Sequence, residues 1–228
     1  MKEIDPSLEA YVEAEIIPRY AHFDRAHSTD HVRSVIDRSL ALARRYDVDP
    51  DMVYVIAAYH DTGLAFGRER HHIDAERILA EDAELRRRFD SERIATMREA
   101  VEDHRASSGH APRSIYGRIV AEADRCIDTQ TILRRTVQYG LAHCPALTRE
   151  EHFARCREHL QRKYAEGGYL RLWLPESDNA RRLAELREAI RDGERLRRLF
   201  DAIFDAETSG PAGGTPDRTE AGEAAEAR

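Results

Sequence analysis

The sequence has few cysteines and no long apolar run. Its three cysteines, Cys126, Cys144 and Cys156, lack the CxxC spacing of a zinc ribbon, and so few of them do not suggest a disulfide framework. No apolar stretch reaches the ~20 residues that cross a bilayer. The first residues also lack the basic start followed by an apolar run that would indicate a signal peptide. We therefore expect a cytoplasmic protein with no membrane partner.

Lysine is also scarce, and acidic residues outnumber basic ones. The 228 residues carry a net charge of −7, and among the 36 basic residues only Lys2 and Lys163 are lysines. The arginine runs lie among acids, which is typical of solvated helix faces, and no basic groove is visible. This balance disfavours nucleic acid as a partner. The length suits one domain with a sizeable core, and a homodimer is compatible with it.

Apolar residues recur at helical spacing and no strand pattern competes, so the sequence predicts an all-α protein. We expect helices over about 5–19 and 130–139 and a long one from Ser177 to Phe204. Residues 1–206 are predicted to form a single helical domain, with a core at 20–140 and an extension at 141–206. Residues 207–228 are poor in large apolar side chains and are expected to be disordered.

The most informative stretch runs from Asp51 to Gly63. Met52 to Tyr59 is apolar or aromatic at every position, which predicts a helix buried on all sides, with Gly63 closing it. His60 and Asp61 stand at its buried end, where burial costs several kcal/mol unless something compensates. A bound cation would compensate by using both side chains as ligands. The alternative is a His–Asp pair that frays into solvent.

Two other polar side chains extend apolar stripes on separate helices. His31 lies in the first turn of a helix, one turn before Val35, and Asp124 lies one turn after Val120. With His60 and Asp61 they make a nitrogen and oxygen set that suits a transition-metal dication and leaves positions for water and substrate.

This ordered set resembles the HD metal-dependent phosphohydrolase superfamily, whose pattern is H…HD…D on a helical bundle. The matching residues are His31, His60, Asp61 and Asp124, and the resemblance covers roughly residues 20–140. It implies an HD-type bundle, here with additional C-terminal helices, and a divalent ion such as Mn, Fe, Co, Ni or Zn.

An extended form of the pattern, H…HD…H…H…D, occurs in family members that hold two metals. His104 matches its fourth histidine and His71 its third, with His72 as a rival for that place. The resemblance thus implies one or two ions. Alternatively, His71 and His104 contact substrate phosphate or orient a ligand from outside the coordination sphere.

The chemistry that the resemblance implies is attack of a metal-activated water on phosphorus. Asp61 would hold that water and accept its proton, which makes it the predicted catalytic residue. Phosphate oxygens need fixed donors, and Arg68, Arg70 and Arg105 lie close in sequence to proposed ligands. Lys163 is a further candidate, or else one more solvated helix residue.

The segment after the HD dipeptide departs from two groups of the family. Members that cleave deoxynucleoside 5′-monophosphates or guanosine tetraphosphate place acids shortly after it, whereas Thr62 to Phe66 has none and Glu69 is the first. The pattern looks more like small bacterial HD enzymes that split diadenosine tetraphosphate, although these have no counterpart of residues 141–204.

We therefore expect a hydrolase that acts on a nucleotide or another small phosphate ester. Two alternatives use the same ligands. One is a di-iron oxygenase that cleaves C–C or C–P bonds with O₂, and the other is a non-catalytic nucleotide sensor.

Overall fold

The computed structural model describes residues 3–23, 27–106, 108–125 and 127–209. Within these residues all regular structure is helical and no strand occurs, which confirms the predicted all-α class. The chain divides into two compact units, residues 1–125 and residues 126–228. None of the described helices has the length and apolarity needed to cross a membrane.

The first unit holds the buried helix on which the predicted site depends. Its helices are α1 (Pro6–Glu15), α2 (Thr29–Ala43), α3 (Pro50–Tyr59), α4 (His71–Glu81), α5 (Ala83–Arg88), α6 (Ser91–Glu102) and α7 (Ile115–Asp124), with 3₁₀ segments at Ile17–His22 and Thr62–Phe66. All ten residues of α3 are buried. Helices α2, α6 and α7 pack around it, and the carboxylate of Asp49 accepts the N–H of Asp51 at its start.

The second unit is a smaller helical bundle. It contains α8 (Thr129–His143), α9 (Arg149–Tyr164), α10 (Asp178–Arg191) and α11 (Gly193–Ser209). Helix α8 packs on α9 and α11, around buried residues that include Leu133, Val137, Leu160 and Phe200. At the start of α9, Thr148 and Glu151 form a reciprocal capping box.

Several predicted boundaries are wrong. The first helix stops at Glu15, and a 3₁₀ segment that contains Pro18 follows. The helix predicted over 177–204 is interrupted at Asp192, whose backbone leaves the helical region and whose carboxylate accepts the N–H of Arg195 at 2.9 Å. That side chain ends one helix and begins the next.

The boundary between the two compact units lies after residue 125, because α8 packs within the second unit. The predicted core at about 20–140 and extension at 141–206 stay predictions. Residues 207–209, which the predicted tail includes, are helical, since α11 continues to Ser209. Residues 210–228, on which the rest of that prediction falls, lie outside the described residues. That the chain forms a single domain stays a prediction.

Candidate metal centre

The HD dipeptide lies at the end of the most buried helix in the first unit. Helix α3 ends at Tyr59, and the next two residues, His60 and Asp61, are 0% and 4% exposed. A carboxylate and an imidazole this deeply buried need a compensating charge. The predicted alternative, a pair frayed into solvent, is therefore wrong.

Each remaining predicted ligand comes from a different element of the same unit. His31 lies in the first turn of α2, His71 is the first residue of α4, and Asp124 is the last residue of α7. His104 follows the end of α6 and is 3% exposed, as expected from the apolar stripe that precedes it.

The side chains of all six predicted ligands meet in two groups of three. One group is His31, His60 and Asp124; the other is Asp61, His71 and His104. Within each group the potential ligand atoms all lie within 4.8 Å of one another. His71, rather than its rival His72, belongs to the cluster.

Asp61 lies between the two groups and faces both. Its Oδ2 is 3.1 Å from His60 Nε2 and 3.6 Å from His31 Nε2. Its Oδ1 is 3.6 Å from His71 Nε2 and 3.5 Å from His104 Nε2. A single carboxylate thus presents one oxygen to each histidine pair, which is the arrangement required to bridge two cations.

Three of the histidines have their ring orientation fixed in the same way. The Nδ1 atoms of His60, His71 and His104 lie 2.7, 2.7 and 2.6 Å from the backbone carbonyl three residues earlier. A carbonyl only accepts hydrogen bonds, so each Nδ1 must carry the proton. In the neutral ring, Nε2 then presents its lone pair to the cluster, as a metal ligand does.

The charges of the cluster also fit a cation. Burial lowers the pKa of His31, but hydrogen bonds to Asp124 and Asp61 and their charges outweigh this and raise the pKa to about 10. Burial and the charge of His104 lower the pKa of His71 to about 4. Without an ion, a proton on His31 therefore occupies the position between carboxylates that a cation would take. Four imidazoles and two carboxylates are a donor set suited to Fe, Mn, Co, Ni or Zn.

Gly63 has a different role from the one predicted. It does not close α3 but lies in the 3₁₀ segment Thr62–Phe66, which packs on α4. A Cβ at this position would be 1.9 Å from the carbonyl oxygen of His71 and 2.6 Å from the amide nitrogen of Ala75. Only glycine permits this approach, which sets the distance between Asp61 and the helix that carries His71.

Sequence reasoning missed an ion pair beside His104 in which a buried carboxylate meets a partly exposed arginine. The side chain of Asp103 is fully buried, and its Oδ2 accepts the backbone N–H of Arg113 at 2.7 Å. The Arg113 guanidinium also bonds to Asp103 and to the carbonyl of Glu99. These contacts hold the end of α6, and hence His104, against the segment that leads into α7. No spacing rule connects residues 103 and 113, so only the fold reveals the pair.

The four predicted substrate-binding residues have different surroundings. The carbonyl of Arg68 accepts the His71 ring N–H. Arg105 Nη1 donates to the carbonyl of Glu69 at 2.8 Å and lies 3.4 Å from His72 Nδ1. Both arginines therefore adjoin the segment that leads into His71.

Arg70 and Lys163 have other neighbours. Arg70 is exposed and lines a cavity of about 550 Å³ on the outer face of α4, with Arg77, Arg86 and Arg98, and no predicted ligand lines it. Lys163 lies in the second unit, where it is 8% exposed and its ammonium is 5.4 Å from the ring centroid of Tyr164 and 6.0 Å from that of Tyr169. It is not a solvated helix residue. A role for either residue in substrate binding stays a prediction.

Comparison with known proteins identifies the first unit. No curated protein and no solved structure matches the chain. Residues 29–127, from α2 to just beyond α7, match the HD domain, and this segment contains all six clustered side chains. Residues 29–127 of this chain thus form an HD domain.

Proposed function

We propose that this protein is a metal-dependent phosphohydrolase that cleaves a phosphate ester or anhydride bond in a nucleotide or another small phosphorylated molecule. The HD-domain superfamily consists mostly of metal-dependent hydrolases. The observation that carries the proposal is the position of Asp61, whose two oxygens face two separate groups of histidines. A two-ion site suits in-line displacement at phosphorus.

The residues divide between the two proposed ions. His31, His60 and Asp124 would hold one ion, His71 and His104 would hold the other, and Asp61 would bind both. When bound, such ions lower the pKa of water and withdraw charge from phosphoryl oxygens. His31, His71 and Asp124 have side chains 19%, 16% and 27% exposed, so the cluster is open on the side of these residues.

The predicted role of Asp61 as a proton acceptor stays a prediction, and the distances around its carboxylate support a bridging ligand better. Both of its oxygens lie 3.1 to 3.6 Å from ligand nitrogens, and neither faces away from the proposed ions. This favours a bridging ligand over a proton acceptor. Arg105 and Arg68 adjoin His71 and are the best placed of the four candidates to orient a phosphate group.

The experiment that tests this function is a screen of phosphate esters with protein loaded anaerobically with Mn²⁺ or Fe²⁺. We expect hydrolysis of at least one nucleotide or small phosphate ester, detected as free phosphate or as shorter nucleotides separated by chromatography. Asp61→Asn, which keeps the shape of the side chain but removes its charge, should lose this hydrolysis. Dinucleoside polyphosphates belong in the panel, because the segment after the HD dipeptide lacks the acids found in monophosphate-cleaving relatives.

The same donor set would also hold a di-iron centre, so the oxygenase alternative needs its own measurement. Oxygen consumption with the iron-loaded protein, without hydrolysis of any member of the panel, would favour that alternative. Tight nucleotide binding without turnover of either kind would favour the sensor.

A further inference from the structure

The end of α3 is stabilised by side chains rather than by a glycine cap. The last carbonyls of a helix lack partners within the helix, and here three consecutive ones are bound by different side chains. His60 Nδ1 lies 2.7 Å from the carbonyl oxygen of Ala57, and the hydroxyl of Thr62 donates to that of Tyr59 at 2.7 Å. The carbonyl between them, that of Ala58, is bound by Tyr20.

Tyr20 is the only one of these three side chains that comes from a distant part of the sequence. It lies in the 3₁₀ segment Ile17–His22 and is fully buried. Its hydroxyl donates to the carbonyl of Ala58 at 2.9 Å and accepts the N–H of Asp61 at 3.3 Å. The hydroxyl oxygen of Tyr20 therefore links the last turn of α3 to the backbone of Asp61, whose side chain lies between the two histidine groups.

The backbone of Asp61 has already left the helix at this point. Its φ and ψ are −106° and 4°, outside the α-helical values that His60 still has. The N–H of Asp61, in the peptide that follows the still helical His60, points to the tyrosine hydroxyl. A rotation of this peptide would move both carboxylate oxygens, and each of them lies within 3.6 Å of two imidazole nitrogens.

We propose that Tyr20 is a positioning residue of the metal centre, whose hydroxyl fixes the Asp61 backbone so that the two carboxylate oxygens face different ions. This inference rests on the proposed two-ion site. Tyr20 contacts the backbone just before the dipeptide, at Ala58, and within it, at the N–H of Asp61, and it does not itself act as a ligand. Hydrogen-bond partners of metal ligands commonly change metal affinity 10–100-fold when they are removed.

The test replaces Tyr20 by phenylalanine, which keeps the buried ring and removes only the hydroxyl. Tyr59→Phe is the matched control. Tyr59 is also fully buried and precedes the dipeptide, but its hydroxyl donates to Asp82 at 2.7 Å, away from Asp61. Tyr20→Phe removes two hydrogen bonds and Tyr59→Phe removes one, so both variants should unfold at a lower temperature than wild type. Only Tyr20→Phe should weaken Mn²⁺ or Co²⁺ binding, by tenfold or more at both sites.

The readout is metal affinity by calorimetry and the visible spectrum of the Co²⁺ form, well below the melting temperatures of both variants. The proposal is overturned if the metal affinity of Tyr20→Phe lies within twofold of that of Tyr59→Phe and the Co²⁺ spectra of the two variants agree. If wild-type protein binds no metal, the proposed function fails, and this outcome is distinct from equal affinities of wild type and variant.

A second measurement on the unaltered chain covers the case in which Tyr20→Phe does not fold. Amide hydrogen exchange of the wild-type protein reports directly on the N–H of Asp61. We expect this amide to be strongly protected from exchange in the metal-free protein. It should be at least as well protected in the protein loaded with Zn²⁺, which is diamagnetic and replaces Mn²⁺ for this measurement. Exchange at the rate of an exposed amide would overturn the proposal.

Discussion

The Nε2 atoms of His31 and His60 face each other across 3.3 Å. The Nδ1 proton of His60 is committed to the carbonyl of Ala57, so Nε2 of the neutral ring has only a lone pair to offer. Two lone pairs at this distance repel each other unless a proton or a cation lies between them. The carboxylates of Asp61 and Asp124, 3.6 and 3.3 Å from His31 Nε2, attract the same positive charge.

Metal binding should therefore release protons. In the metal-free protein the pKa of His31 is raised to about 10, so this side chain is protonated at pH 8, and an ion must displace its proton. We expect at least one proton released per chain at pH 8. Calorimetric titration with Mn²⁺ in buffers of different ionisation enthalpy measures that number. An observed binding enthalpy that is independent of the buffer would contradict this prediction.

The stability of the metal-free protein should depend on pH in a defined direction. The pKa of His31 is higher in the folded protein than its value of about 6.5 in the unfolded chain. Its contribution is therefore fully present below about pH 6.5 and is lost as the pH rises towards about 10. We expect the melting temperature of the chelated protein to fall over this range. A His31→Gln variant should show a smaller decrease, and equal decreases would argue against His31 as the cause.

Gly63→Ala should disturb the site through α4. The added Cβ would lie 1.9 Å from the carbonyl oxygen of His71, so α4 must shift, at a cost of about 3 kcal/mol or more. We expect lower stability and loss of the ion held by His71 and His104. Gly109→Ala is the control, because no atom lies within 4 Å of a Cβ at that position. Full metal content in a folded Gly63→Ala protein would show that the close approach does not set the position of His71.

Arg113→Gln should destabilise the first unit and displace His104. It removes the charged partner of the buried Asp103 carboxylate and the bond to the carbonyl of Glu99. We expect a loss of about 1–3 kcal/mol in unfolding free energy, measured by urea denaturation. Arg93→Gln is the matched control, since Arg93 lies on α6, its side chain is 51% exposed, and its ion pairs with Asp49 and Asp90 should contribute less than about 1 kcal/mol. Similar losses for the two variants would contradict the importance of the Asp103 pair.

The burial of several proposed ligands could be predicted from local signals in the sequence, whereas His71 and His104 were assigned as ligands from the resemblance to the extended HD pattern. His104 follows the buried residues Met97 and Val101, and Asp124 follows Val120, so helical periodicity alone turns their side chains inward. The HD dipeptide follows an entirely apolar helix, which predicts its burial. These are local signals, and the structure brings all six residues together.

The supporting residues could not be predicted, because their roles depend on contacts between distant segments. Tyr20 has the pattern of any core aromatic residue, and the partners of its hydroxyl, Ala58 and Asp61, are about 40 positions away. In the sequence Gly63 resembles a residue that ends a helix. Its close contact with α4 is visible only in the folded chain. The break at Asp192 was missed for a different reason: the apolar stripe continues through it from Ile190 to Leu196, and only the carboxylate bond to Arg195 ends the helix.

The measurement that tests the central claim most directly is the number of metal ions per chain. The protein should be prepared anaerobically with iron or manganese in excess, and wild type should be compared by elemental analysis with His104→Ala. We expect about two ions in wild type and about one in the variant, because His31, His60, Asp61 and Asp124 remain to hold the first. A single ion in wild type, or the same number in both proteins, would contradict the two-ion centre bridged by Asp61.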